Sequence, residues 1–316
     1  FNFYDTEKKT AYQDCYASLN AGKTLGIGNY DSANIIHSNG KFYLLVGTST
    51  SNRDHFYIVD AKTLYYENSA AVGANLSGLT ILNEQYGLVT GDGIRRIDLK
   101  SLNNVRIKNE RLLCFYNSII YNGKVLSNDT YKDESKVKYY DVNELIAAKE
   151  GEAPAVTELD IIQKQKINFV LAKDGNVYTL ESADNGCNIV KIKNDFTLEK
   201  VFANFQPAKG PYHSSPTIGM VASETENIIY LVSTDGAIYK YILGDSDSLK
   251  APFIAAESGV SITAPLQLNQ QSGELYVTYT EELKDESKIV VYSKDGKVLH
   301  TVDCGESVPS QILFNN

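Results

Sequence analysis

Short apolar runs separated by polar turn residues follow one another along the whole chain. Phe42-Tyr43-Leu44-Leu45-Val46, Phe56-Tyr57-Ile58-Val59, Asn176-Val177-Tyr178-Thr179-Leu180, Ile228-Ile229-Tyr230-Leu231-Val232 and Leu275-Tyr276-Val277-Thr278-Tyr279 are rich in β-branched and aromatic side chains. Such residues fit a pleated, half-buried surface, so the runs predict strands. Between strands stand Asn-Gly or Asp-Gly pairs, at 39–40, 122–123, 174–175, 235–236 and 295–296. These pairs accept the positive φ angles of type I′ turns and predict successive antiparallel hairpins, with no βαβ rhythm. One stretch reads as helix, residues 142–150, where good helix formers are followed by Gly151 and Pro154. It predicts a helical insertion in a strand connection.

The strands repeat as a module: an apolar strand, a turn, a strand ending in small polar residues, a loop, a strand ending near Asp, and a connection carrying Thr or Leu. The module begins at Ala33, Leu79, Ser118, Phe169, Thr217 and Ala264. One internal echo is sharp: Lys132-Asp133-Glu134-Ser135-Lys136-Val137 recurs as Lys284-Asp285-Glu286-Ser287-Lys288-Ile289, 152 residues on, which corresponds to three modules of about fifty residues. The ends suggest a seventh module. Residues 1–5 read as its third strand, Thr10 to Tyr16 as its fourth and Pro309 to Phe314 as its first, with the second expected before Phe1. Seven modules in 316 residues average about 45, a normal four-stranded blade. Closure from both ends removes an open edge and ties down the termini. The expectation is an all-β chain, a single domain over residues 1–316, folded as a seven-bladed β-propeller of four-stranded antiparallel blades whose last blade is closed by both termini.

Composition narrows the function classes. Thirty Lys and Arg against 39 Asp and Glu give a formal charge of −9, which argues against nucleic acid as the main partner. The proportion of hydrophobic residues, 43%, suits an ordinary globular core, and no apolar run approaches the length of a membrane span. There is no Trp, which excludes repeat families defined by that residue, and there are 22 Tyr. Cys15, Cys114, Cys187 and Cys304 include no C-x-x-C pair, so metal-ligand spacing is absent. They read as buried small hydrophobes, with a Cys15–Cys304 bridge as the alternative if the chain ends meet. The start at Phe1 has no initiator Met and no signal-like segment, so any export signal is expected upstream.

The phrase Leu275-Tyr276-Val277-Thr278-Tyr279 after Ser272-Gly273-Glu274 resembles the repeat of YVTN or YncE-like propellers. Phe3-Tyr4-Asp5-Thr6-Glu7, then Leu25-Gly26, then Ile36-His37-Ser38-Asn39-Gly40-Lys41-Phe42-Tyr43, resembles the opening of a subgroup of surface lipoproteins of Gram-negative gut anaerobes, some of which capture vitamin B12 (the BtuG type). The resemblance covers the whole chain in blade rhythm and the first hundred or so residues in specific phrases. Ile27 stands where that group usually carries an acidic residue, so the likeness transfers no ligand set. It implies an exported, lipid-anchored protein of the outer membrane or cell surface, its anchor cysteine preceding Phe1, that works beside an outer-membrane transporter.

A propeller usually binds at one end of its channel, on loops from successive blades. Two loop classes are expected to share that end: fourth-to-first connections such as Ser18–Ser32 and Asn204–Pro216, and second-to-third connections such as Thr48–Asp54, Asp129–Ser135, Ser182–Gly186 and Glu281–Ser287. The richest segment, residues 205–216, holds three of the seven prolines and His213. Proline fixes φ, so the loop is stiff and loses little entropy on binding. Tyr212 offers a flat face with a polar tip, suited to a large planar or sugar-like ligand; alternatively it packs over a neighbouring blade while His213 caps a turn. Tyr30, after the Gly22, Gly26 and Gly28 run, Arg53, beside Asp54 and His55, Phe205 and Tyr131 complete the candidate ligand-binding set. Arg53 and Asp54 also read as a solvated surface ion pair. The four His are scattered, with no H-x-H or H-E-x-x-H, and Gly244-Asp245-Ser246-Asp247-Ser248 reads as an acidic turn.

No G-x-S-x-G elbow, P-loop or dinucleotide fingerprint occurs. The expected function is non-catalytic capture of a bulky small molecule, cobalamin-like or another nutrient, for hand-over to an outer-membrane transporter, with no cofactor or metal. Two alternatives stand beside it. One is a hydrolase or lyase acting on a sugar or lactone through Asp129, Asp184 and Asp285; the other is a protein–protein scaffold.

Overall fold

A computed structural model describes residues 3–5, 8, 10–12, 15–23, 25, 30–48, 54–73, 76–91, 93–108, 118–128, 135–152, 154–163, 168–208, 219–281, 286–305 and 312–314. They group into two compact units, one drawn from residues 1–131 and 138–157, the other from 132–137 and 158–314. No described helix is long and apolar enough to cross a membrane.

The first unit opens with a small hairpin, β1 (Phe3–Asp5) on β2 (Thr10–Tyr12), and a short helix, α1 (Cys15–Leu19). Asn20 ties the helix down. Its amide donates to the Tyr16 and Leu64 carbonyls at 2.9 and 2.8 Å and accepts from the Tyr66 N–H at 2.6 Å. Two antiparallel sheets follow. The first comprises β3 (Tyr30–Ser38), β4 (Lys41–Thr48), β5 (Asp54–Asp60) and β6 (Tyr66–Gly73) in that order; the second comprises β7 (Leu76–Ile81), β8 (Tyr86–Gly91), β9 (Gly93–Asp98) and β10 (Asn104–Lys108). Tyr43, Leu45, Phe56 and Ile58 of the one share a core with Leu79, Val89 and Ile97 of the other.

A third sheet has the order β11 (Ile119–Tyr121), β12 (Lys124–Asn128), β13 (Ser135–Asp141), β14 (Val156–Gln163). The expected helical insertion is α2 (Val142–Ala147), between β13 and β14. Asp141 caps it by accepting from the Asn143 and Glu144 N–H groups, while Lys124 holds the same carboxylate at 2.7 Å. Arg96 closes the other end. Its guanidinium lies over the Tyr86 ring and donates to the carbonyls of Ile146 and Ala148, where the helix carries partial negative charge.

The second unit contains three more sheets. The fourth runs β15 (Val170–Leu171), β16 (Val177–Ala183), β17 (Gly186–Ile192), β18 (Leu198–Phe205). The fifth has β19 (Met220–Ala222), β20 (Ile228–Val232) and β21 (Ile238–Ile242), with its fourth position reduced to a bridge from Ile238 to Ile254. In the sixth, β22 (Val260–Ile262) and β23 (Gln267–Leu268) both pair with β24 (Leu275–Glu281), followed by β25 (Ser287–Tyr292) and β26 (Val298–Gly305). Pro265 lies between β22 and β23, and its missing N–H accounts for the break in that inner strand.

Burial follows the strand's place in its sheet. Second strands are buried on both faces, as in β20, where all of Ile228–Val232 is buried, and so read as continuous apolar runs. Outer strands such as β18 are largely exposed, and their weak pattern left them unmarked in the sequence.

The structure corrects the blade count. Six blade-like sheets of four strand positions run from β3 to β26, not seven. The N-terminal segment gives a two-stranded hairpin with three paired positions, which stops at Tyr12 because α1 begins at Cys15. At the other end residues 312–314 form no strand, and the Phe314 ring is satisfied instead by packing edge-on against Tyr276 at 5.0 Å. A closing blade built from both termini is therefore not formed by the described residues. The bridge considered between Cys15 and Cys304 is likewise absent, both thiols being free, as is Cys187; Cys114 lies outside the described residues.

The turns are also of two kinds. Asn39-Gly40 and Asn122-Gly123 have both residues at positive φ, as type I′ requires. In the Asp-Gly turns only Gly175, Gly236 and Gly296 are positive, and each glycine N–H bonds back to the residue three earlier. Those three are type I turns ending in a left-handed glycine.

Candidate functional site

In the second unit, the described part of the expected binding end lies around the stem of the Pro-rich segment. β16 and β17 meet in a tight hairpin, with Ala183 paired to Gly186 across Asp184 and Asn185. Gly186 sits at φ 113°, and a Cβ there would fall 2.5 Å from the Phe205 carbonyl oxygen and on the Gln206 amide. Glycine at 186 is what lets the end of β18 lie across the hairpin.

From there the chain is fastened residue by residue. Gln206 Nε2 donates to the Asn185 carbonyl at 2.7 Å, and the Gln206 carbonyl accepts from the Thr234 N–H at 2.9 Å. Pro207 bridges Ser233, and the Ala208 N–H donates to the Val232 carbonyl at 2.9 Å. Phe205, only 6% exposed, anchors the stem in the core with its ring edge-on to Tyr239 at 5.8 Å.

The return is equally fixed. Gly219, at φ 63°, lies over Asn168, whose Oδ1 would stand 2.8 Å from an added Cβ. Asn168 accepts from the Met220 N–H at 3.0 Å and donates to the Met220 carbonyl at 2.7 Å, imitating a strand partner with one side chain. Thr179 donates to the Asn168 carbonyl at 3.0 Å, and Gln163 donates to Thr179 and to the Leu180 carbonyl. Residues 208 and 219 are thus two posts held by buried polar ladders. The contact of Gln206 with Asn185 also brings a fourth-to-first connection beside a second-to-third hairpin, as expected.

The turns beside the posts carry carboxyl groups. Asp184 and Asp235 are exposed on neighbouring hairpin turns. The Ser233 hydroxyl, followed by the Ala237 N–H, holds the Asp235 carboxyl below its ordinary range. Cys187, beneath the first hairpin, is buried, and burial pushes its thiol up to about 11, so it is protonated at neutral pH. Among the described residues no group of three His, Cys, Asp or Glu is placed to hold a metal ion.

Of the six candidate residues, Phe205 is placed in full, and it is a buried anchor, not an exposed surface. Tyr30 contributes its backbone to the start of β3, opposite Thr48. Arg53, Tyr131, Tyr212 and His213 lie outside the described residues, as do Asp129 and Asp285. Sequence reasoning missed Asn168 and Gly219, because Asn168 bonds Met220, 52 residues on, a contact read by no local pattern. Gly186 carried a signal in the Asn185-Gly186 pair. Gly244–Ser248 is the acidic turn expected of it, in which Asp245 caps a 3₁₀ segment, Ser246–Leu249.

Comparison with known proteins agrees on fold and leaves function open. The profile of a domain of unknown function, DUF5074, matches residues 1–315. No curated protein matches the chain. A crystal structure of a quinonprotein alcohol dehydrogenase-like protein from Bacteroides thetaiotaomicron is 99% identical over all of this chain and 76% of its own, with a TM-score of 0.95. The Cps50 (Swd1) β-propeller domain of Myceliophteria thermophila is 12% identical over 88% of this chain and 91% of its own, with a TM-score of 0.52. Virginiamycin B lyase from Staphylococcus aureus is 13% identical over 91% of this chain and 89% of its own, with a TM-score of 0.51. At such identities the last two likenesses speak to fold alone, and the fold is an all-β β-propeller.

Proposed function

The chain belongs to the DUF5074 family, and we propose that it is a ligand-binding propeller that captures a bulky small molecule and does no covalent chemistry on it. The observation that carries this reading is the pair of posts at Ala208 and Gly219. They fix both ends of a segment containing Pro211, Tyr212, His213 and Pro216. Fixed ends lower the entropy a loop must lose when it closes on a ligand, which is the main cost of binding through loops. A tyrosine supplies contact area with few rotatable bonds.

The ligand class comes from the resemblance to nutrient-capturing surface propellers: a cobalamin-like or other bulky nutrient, taken up at the cell surface and passed to an outer-membrane transporter. Tyr30, Arg53 and Tyr131 join Tyr212 and His213 as the proposed contacts. A thermal-shift panel of cobalamins, haem, ferric siderophores and oligosaccharides tests the reading. One class is expected to raise the melting temperature. Tyr212→Ala and Tyr30→Ala are expected to weaken its binding by about 1–3 kcal/mol each without lowering the melting temperature of the free protein. A flat panel would favour a protein–protein scaffold.

A further inference from the structure

The chain holds three Asn-Gly pairs, at 39–40, 122–123 and 185–186, and the fold does not treat them alike. All three asparagines are exposed, so access of water does not separate them. Their backbones do. Asn39 and Asn122 stand at φ 50° and 47°, followed by Gly40 and Gly123 at 68° and 70°, the type I′ arrangement. Asn185 is at negative φ, and only Gly186 after it is positive.

That difference decides whether an asparagine can react with its own backbone. The side-chain amide is lost as ammonia when the next residue's amide nitrogen attacks Cγ and closes a five-membered imide. The attack needs that nitrogen eclipsed with Cβ, and a flip of the Asn39–Gly40 peptide plane out of type I′ supplies it. The flip leaves φ of Asn39 positive, takes its ψ to about −120° and sends Gly40 to negative φ, which is the type II′ turn. Glycine alone changes the sign of φ at so little cost. A Cβ at Gly40 or Gly123 would meet nothing within 4 Å, so both glycines have room to turn. Among the described residues no hydrogen bond holds the Asn39 carbonyl, which swings in the flip. Asn185 is barred twice. At negative φ a ψ near about −120° lies outside the allowed regions. Its carbonyl also accepts from Gln206 Nε2 at 2.7 Å, which pins the plane that would flip, and Gly186 lies against the Phe205 carbonyl.

We propose that Asn39 and Asn122 are sites of spontaneous deamidation and that the fold protects Asn185. At each reacting site the glycine N–H gives its proton to solvent, the bond from that nitrogen to the asparagine Cγ forms, and the Cγ–NH₂ bond breaks, releasing ammonia. Water then opens the imide at either carbonyl, leaving aspartate or isoaspartate. Isoaspartate adds a backbone atom to a two-residue turn, which strains the pairings the turns close, Ser38 with Lys41 and Tyr121 with Lys124. Both turns therefore collect a chemical mark of the protein's age. They lie in the first unit and do not depend on the nutrient reading.

Peptide mass spectrometry of the full chain, incubated in mildly alkaline buffer with and without urea, tests it. In the folded protein Asn39 and Asn122 are expected to convert at least tenfold faster than Asn185, read as the mass change from amide to acid. In urea, where the turns are gone, the three are expected to convert at similar rates. Folded-state rates at Asn39 and Asn122 no faster than at Asn185 would overturn the proposal. So would an Asn185 that stays slow in urea, because its protection would then not come from the fold.

Discussion

Gly186 shows how much one missing Cβ decides. Its place under the Phe205 carbonyl and Gln206 amide, at φ 113°, leaves no room for a side chain and no relaxed backbone for one. Gly186→Ala is expected to cost about 2 kcal/mol or more in chemical denaturation and to unseat Gln206 from Asn185. Gly236→Ala, at φ 85° in open space, is the control and is expected to cost about 1 kcal/mol from backbone strain alone. Equal losses would show that the stem does not press on Gly186. At this scale the sequence was partly readable. Asn185-Gly186 carried a turn signal, whereas Asn168 looks like any loop asparagine until Met220 is placed against it.

Among elements, the connections between third and fourth strands show a repeated device. Asp60 Oδ1 accepts from the Thr63 N–H at 2.8 Å and its hydroxyl at 2.7 Å; Asp98 Oδ1 accepts from the Ser101 N–H at 2.7 Å and its hydroxyl at 2.9 Å. Each carboxylate satisfies the turn, after which Leu64 and Leu102 take positive φ, 58° and 56°. The sequence showed these stretches as strands ending near Asp with Thr or Leu beyond, and the turn chemistry is the reason for that spelling.

The Asp98 carboxyl is held below its ordinary range first by the Ser101 N–H. A folded-state pKa below the unfolded one gives stability that is full above the unfolded value and fades as pH falls through the folded one. Asp98→Ala is expected to cost about 1 kcal/mol at neutral pH, as lost caps do. The gap to wild type is expected to shrink as pH falls through that lowered folded-state value and the wild-type carboxyl protonates. Urea unfolding at neutral pH and across the acid range measures it, and a gap that persists to the acid end would mean that the carboxylate's charge is not what holds the turn.

For the whole molecule, the repeat was legible and its number was not. Ala33 and Leu79 lie in the first strands of sheets one and two, Ser118 and Phe169 directly precede β11 and β15, and the Lys-Asp-Glu-Ser-Lys echo leads into β13 and β25, the third strands of sheets three and six. That echo spans 152 residues for three modules, about fifty each, which fits six modules in 316 residues better than seven. The N-terminal segment does form strands, β1 and β2, but they pair only with each other, and the described C-terminal residues form none. Phe314 has the composition of a strand residue, but it meets its hydrophobic demand through one ring contact with Tyr276. The dehydrogenase-like neighbour and the lyase share this architecture, and propellers carry unrelated functions on the same blades, so function has to be argued from the loops.

The claim that residues between the Ala208 and Gly219 posts grip a ligand is tested most directly by calorimetry. The titrant is the best compound of the nutrient panel, against wild type and the Tyr212→Ala/His213→Ala double variant. The account predicts that the double variant raises Kd at least tenfold, about 1.4 kcal/mol, while its melting temperature stays that of wild type. An unchanged Kd in the double variant, or no heat from any compound with wild type, would contradict it.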